Sequence, residues 1–275
     1  MVRTDPWQAE AVEELVTILK SNNDVLALAL FGSALEPHKQ LDEWSDVDCL
    51  LVVQEDAYSK FFPSTWWRDP FGEEYTHQQS ENEFFATTRI CFADFRRFDI
   101  LVTTPFKLTQ LNRWTQIPFW RGVRILFSHS SQTAQILAST FLSPKPAQPS
   151  QADFESLVDH FWFKAMLASY KIVRHDRLIA LHLALDLVRD CCVLGMMLRD
   201  RTEGTNVHRD GGAGNQVVDD LQKEGISYTP TGILDMIEHS AIWFDTLALE
   251  WSQGYKEKRG PLQEWIGHIR QTNLT

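Results

Sequence analysis

Apolar residues along this chain keep two different rhythms. In the first half they come as short runs, Val25 to Phe31, Cys49 to Val53 and Ile100 to Val102, each of a length that suits a buried strand. In the second half they recur every three or four residues, as on the buried face of a helix. The pattern predicts an amphipathic helix over 6–20, with Asp5 as its cap and Val12, Leu15 and Leu19 on its inner face. Strands are predicted over 25–31, 48–54 and 123–127. An antiparallel pair is predicted over 89–92 and 96–103, joined by a tight turn near Ala93-Asp94. Between Tyr58 and Asn82, aromatic, charged and proline residues alternate without a period, which predicts short helices and loops. Trp66-Trp67 in that stretch reads either as packing or as a stacking surface.

Prolines 144, 146 and 149 fall in an eight-residue stretch, 143–150, that sustains neither helix nor sheet ladder. It divides the chain into a sheet-bearing domain (1–142) and a helical domain (151–275), an α+β organisation of a mixed sheet followed by an α-helical bundle. Two long helices are predicted over 153–200, the second with Leu181, Leu185, Val188 and Cys192 at helical spacing. Another is predicted over 232–254 and a short one over 262–270. The glycine-rich stretch between 202 and 216, containing His208-Arg209-Asp210-Gly211-Gly212, is predicted to be a loop, a connector or lid.

The chemistry sits at the strand ends. Gly32-Ser33 closes the first strand at a point where the backbone turns sharply and can approach a phosphate closely. Asp46 and Asp48, two apart at the mouth of the next strand, project to one side and can share a divalent cation. Asp99 heads a further strand, where a carboxylate needs a partner. Arg96 and Arg97 flank it, either touching phosphate or pairing with the acids.

Leu30-Phe31-Gly32-Ser33, Ser45-Asp46-Val47-Asp48 and Phe98-Asp99 together resemble the signature of the nucleotidyltransferase superfamily typified by DNA polymerase beta. Within it the chain is most similar to the aminoglycoside and lincosamide nucleotidyltransferases of antibiotic resistance. The resemblance is by motif over the first ~100 residues and by pattern, notably Phe161-Trp162, beyond them. It implies a magnesium-dependent enzyme that moves a nucleoside monophosphate, AMP from ATP, to a hydroxyl of a small molecule. Asp46, Asp48 and Asp99 would hold one or two Mg2+ ions, with Asp99 as base, ligand or both. Gly32, Ser33 and Arg96 would contact the nucleotide, bound on the sheet domain, and the acceptor would lie between the two domains. Asp159, His160 and Lys164 would face the acceptor or phosphate, with a solvated helix face as the competing reading. Two departures stand out: Ala34-Leu35-Glu36-Pro37 replaces the arginine that often follows Gly-Ser, and His160 occupies a position where relatives carry an acid.

Net charge narrows the partners. With 26 basic and 37 acidic residues the chain carries −11, a field that favours a cationic acceptor and disfavours a stable nucleic-acid partner. Cys49, Cys91, Cys191 and Cys192 form no metal-type pair and read as free thiols of a cytoplasmic protein. Met1 to Glu10 is too polar for a signal peptide, and no apolar run reaches bilayer length. A homodimer is compatible with the resemblance. Two alternatives compete: a transferase modifying a protein or tRNA, as in toxin–antitoxin systems, and a non-catalytic nucleotide-binding regulator. The acidic charge speaks against the tRNA version of the first, and the three clustered acids against the second.

Overall fold

The computed structural model describes residues 7–35, 44–110, 122–139, 148–203, 218 and 227–273. Asp5, most of the 143–150 proline stretch and the glycine-rich loop lie outside the described residues. The chain falls into two compact units, Met1–Pro146 and Ala147–Thr275.

The first unit is built on a mixed sheet of six strands: β1 (Val25–Leu30), β2 (Val47–Val53), β3 (Glu74–Glu81), β4 (Ala86–Phe92), β5 (Arg97–Thr103) and β6 (Arg124–Ser128), in the order β3-β4-β5-β2-β1-β6. Only β2 and β5 run parallel; the other neighbours are antiparallel. Strand alternation sorts the central side chains onto two faces. Val47, Cys49, Leu51, Phe98, Ile100 and Val102 pack with Ala11, Leu15 and Leu19 of helix α1 (Gln8–Lys20). Leu50, Val52 and Leu101 go the other way, against Leu108 of α2 (Pro105–Thr109) and Leu137 of α3 (Ser131–Ser139). Asp48 and Asp99 share this second face. Phe98 points to the first, held by the rings of Trp7, Phe71 and Phe92 at 5.7, 4.8 and 5.7 Å, and this aromatic cluster fixes the strand end that carries Asp99.

Three local expectations are corrected. The 58–82 stretch contains, besides 3₁₀ turns at Glu55–Lys60 and Trp66–Phe71, the full strand β3. Six of its eight side chains are exposed, so no apolar alternation marks it; pairing of its backbone with β4 makes it a strand. Helix α1 begins at an N-cap Trp7 whose side chain makes no capping bond. Neither α2 nor α3 announces itself by periodicity; α2 is set by Thr104, whose side chain accepts from the Lys107 amide, followed by Pro105 at the first helical position. Trp67 is core, whereas Trp66 is partly exposed, its ring tilted against Phe61 with centroids 5.8 Å apart.

The second unit is a bundle of α4 (Gln151–Val173), α5 (Arg177–Glu203), α6 (Pro230–Trp251) and α7 (Arg259–Asn273). Ser150 and Asp153 form a reciprocal capping box that starts α4. The Phe161 ring stacks on Phe244 with centroids 3.8 Å apart, and Trp162 donates through Nε1 to Tyr255 Oη at 2.9 Å. On α5, Ala184, Leu187, Cys191, Leu194 and Leu198 are buried, Leu181 and Val188 pack against the bundle core partly buried, and Leu185 is exposed.

Candidate active site

The turn after β1 is shaped by what lies above it. Gly32 has φ +70°, in the left-handed region, and a Cβ there would stand 2.1 Å from Asp48 Oδ2. Only glycine allows the carboxylate so close to the backbone. The Phe31 amide donates to the Asp48 carbonyl at 3.1 Å, which ties the turn to the start of β2. Gln8 donates through Nε2 to the Ser45 carbonyl at 2.9 Å, so the first turn of α1 holds the chain where it enters the acidic pair. Ser33 Oγ is buried and has no hydrogen-bond partner among the described residues. A buried hydroxyl in that state is costly unless a ligand group completes it.

Asp48 and Asp99 face each other in register across the parallel β2–β5 pair. With Asp46 they bring three carboxylate oxygens within 4.8 Å of one another, a set suited to a hard divalent cation. Two arginines answer this charge. Arg97 Nη2 donates to Asp46 Oδ2 at 2.5 Å, and Arg89 Nε, from β4, donates to Asp99 Oδ2 at 3.0 Å. Burial raises the Asp99 pKa above the usual carboxylate range and the charge of Asp46 pushes it further, against the opposing pull of Arg89 and Arg97. Burial and the neighbouring Asp48 push the Cys49 thiol up as well, so this cysteine is an inert part of the core.

Gly32, Ser33, Asp46, Asp48 and Asp99 therefore all belong to one end of the sheet. Arg96 does not reach the acids. Its Nε donates to Asp94 Oδ2 at 2.7 Å, its Nη2 donates to the Phe71 carbonyl, and its guanidinium lies 5.7 Å from the Phe92 ring centroid. Arg97, one residue on, does reach them, through Asp46. Parity gives the reason: Arg97 is two residues from Asp99 and shares its side of β5, whereas Arg96 belongs to the turn. Arg89 has no local sequence signal; the register of β4 on β5 alone pairs it with Asp99.

The three second-unit candidates sit on α4 but have separate surroundings. Asp159 is largely exposed, with Lys258 Nζ at 3.9 Å. His160 donates through Nδ1 to the Ser156 carbonyl at 2.6 Å on the helix surface. Lys164 lies between two acids of α5, 2.7 Å from Asp190 Oδ2 and 3.5 Å from Asp186 Oδ2. Asp190 is buried, so Lys164 supplies the countercharge that it needs.

A mixed sheet that gathers a glycine turn and three carboxylates at one end defines a nucleotidyltransferase, here of the adenylyl-transferring kind. The family described as streptomycin adenylyltransferase matches residues 7–200, well over half of the chain, and the protein belongs to that family. Among solved structures, that of an aminoglycoside 6-adenyltransferase from Bacillus subtilis aligns over 94% of this chain and 96% of its own, at 12% identity and a TM-score of 0.40. That of a nucleotidyltransferase-like protein from Exiguobacterium sibiricum 255-15 aligns over 95% of this chain and 87% of its own, at 9% identity and a TM-score of 0.31. No curated protein matches the chain. No helix among the described residues is long and apolar enough to cross a membrane.

Proposed function

We propose that the protein transfers AMP from ATP to a hydroxyl of a small cationic acceptor of the aminoglycoside class, with magnesium at the three acids. The observation that carries this reading is the meeting of Asp46, Asp48 and Asp99 within 4.8 Å, above a turn where only glycine fits. Membership in the streptomycin adenylyltransferase family supports the nucleotide and the acceptor class. The net charge of −11 suits a polycationic acceptor.

The donor set fits the metal. Three carboxylate oxygens match a hard divalent cation, and the unsatisfied Ser33 hydroxyl and the Gly32 turn suit the phosphates beside it. Bound by Asp46, Asp48 and Asp99, magnesium would neutralise charge on the phosphate oxygens. The acceptor hydroxyl attacks the α-phosphorus, an O–P bond forms, and the bond from Pα to the bridging oxygen breaks, its electron pair leaving with pyrophosphate. Asp99, the third acid of the set, receives the hydroxyl proton.

Pyrophosphate release from each of the four NTPs, with and without streptomycin, tests the reading. It expects release that requires ATP, magnesium and the acceptor together. Acceptor-independent release, or a preference for another NTP, would overturn the corresponding part.

A further inference from the structure

We propose that Arg97 and Arg89 are nucleotide-binding residues that change partners: they neutralise the acids before the cation binds, and they hold the polyphosphate afterwards. This inference rests on the cation reading of the three acids given above.

Three carboxylates with oxygens within 4.8 Å of one another repel. Without a cation, something must offset that charge. The two guanidiniums do so, each on a carboxylate oxygen of the set that a metal would use: Arg97 on Asp46 Oδ2 and Arg89 on Asp99 Oδ2. Guanidinium and cation therefore compete for these carboxylates.

Exposure shows which side of each pair is built to move. Arg97 and Arg89 keep 54% and 50% of their side-chain surface in solvent, against 25% for each of their acids. The acids are anchored at or beside the strand ends; the arginines are long, half-free arms. The register places both arms on one side of the acids. Asp48, Asp99, Arg89 and Gln78 form a straight transverse row across β2, β5, β4 and β3, and Arg97 lies two residues back along β5 from Asp99, opposite Cys91. Once Asp46 and Asp99 turn to the cation, both guanidiniums are released beside the site where a triphosphate brings more negative charge than one divalent ion cancels. The planar fork of arginine, which takes two phosphate oxygens at once, matches that ligand. Arg96 cannot substitute, because Asp94 and the Phe71 carbonyl occupy it.

Partner exchange has a signature that neither a purely structural ion pair nor a simple phosphate contact shares: removing the arginine strengthens cation binding and weakens nucleotide binding. The test uses the full chain with Mn2+ alone, followed by α,β-methylene-ATP with Mg2+, both by calorimetry. Wild type, Arg97→Gln, Arg89→Gln, Arg97→Lys and Asp48→Asn are compared, with circular dichroism checking the fold of each. Wild type should take up Mn2+ and Asp48→Asn should not. Each arginine-to-glutamine change should tighten Mn2+ by up to about fivefold, the upper worth of a half-exposed ion pair. It should weaken the nucleotide analogue by about tenfold or more, the loss expected for a charged hydrogen bond, and Arg97→Lys should restore part of that loss. Mn2+ affinity that is unchanged or weaker in both glutamine variants would overturn the exchange, as would unchanged nucleotide binding. Failure of wild type to take up Mn2+ at all would instead sink the cation reading, and this inference with it.

Discussion

Gly32 and Asp48 are locked together: the carboxylate of Asp48 occupies the space a side chain at position 32 would need, its Oδ2 lying 2.1 Å from where a Cβ would stand. Asp48 can face Asp99 across the strands only because residue 32 has no Cβ. Gly32→Ala is therefore expected to strain a backbone held at φ +70° and to displace Asp48 as well. Stability should fall by about 1–3 kcal/mol in urea denaturation, and transfer by at least about a hundredfold, since small displacements at the reacting centre cost that much. Near-wild-type turnover in Gly32→Ala would show that the close approach has no role in catalysis.

Asp99 carries a charge that the fold resists. Its pKa is raised by burial and by Asp46, so the ionised form is less favourable in the folded chain than in the unfolded one. The sign follows directly. As pH falls through the raised pKa, the folded state takes up a proton before the unfolded state does, and the Asp99 contribution shifts toward stability. Asp99→Asn should accordingly raise the thermal midpoint by a few degrees at neutral pH while abolishing transfer, a stability gained at the expense of function. A lower midpoint would mean that its bond to Arg89 outweighs desolvation and the repulsion by Asp46.

The helical unit has a polar anchor of its own. Buried Asp245 accepts from Tyr255 Oη at 2.7 Å and from the Lys258 and Arg259 amides at 3.2 Å each, and so holds the α6–α7 connection in place. Asp245→Ala would leave these three donors without their acceptor and should cost about 3–5 kcal/mol in chemical denaturation. Tyr255→Phe, which removes one donor and leaves the Trp162 Nε1 proton without its acceptor, should cost less.

At the start of α4, the Ser150 amide and hydroxyl hold the Asp153 carboxyl below the usual range. A depressed carboxylate pKa contributes stability above its unfolded value and loses it as pH falls through the folded value. Ser150→Ala should therefore lower the thermal midpoint at pH 7, and the difference from wild type should shrink below about pH 3.9, the ordinary aspartate value. A pH-independent difference would assign the effect to the serine bond to the Asp153 amide alone.

The parts of this fold that strand alternation governs can be read from the chain. Gly32, Asp46, Asp48 and Asp99 are all found by counting along apolar runs, and the same count in steps of two leads back from Asp99 to Arg97. Arg96 attracts attention only because it is adjacent in sequence; the turn before β5, with Phe95 at φ 67°, removes it from the row. Arg89 needs information that no local pattern holds, the antiparallel register that sets it opposite Asp99. Strand β3 escapes for a different reason. It lies at the sheet edge with most side chains in water, and its order comes from backbone bonds to β4. On α5, apolar residues occur on more than one side, so periodicity leaves the inner face open until α4 and α6 choose it.

Mass spectrometry of streptomycin incubated with ATP, magnesium and the purified protein tests the proposed chemistry most directly. Attack at the α-phosphorus requires an acceptor heavier by one adenylyl group, with pyrophosphate formed in equal amount and neither product made by Asp48→Asn. A phosphorylated acceptor with ADP, or an adenylylated product that persists in Asp48→Asn, would contradict it.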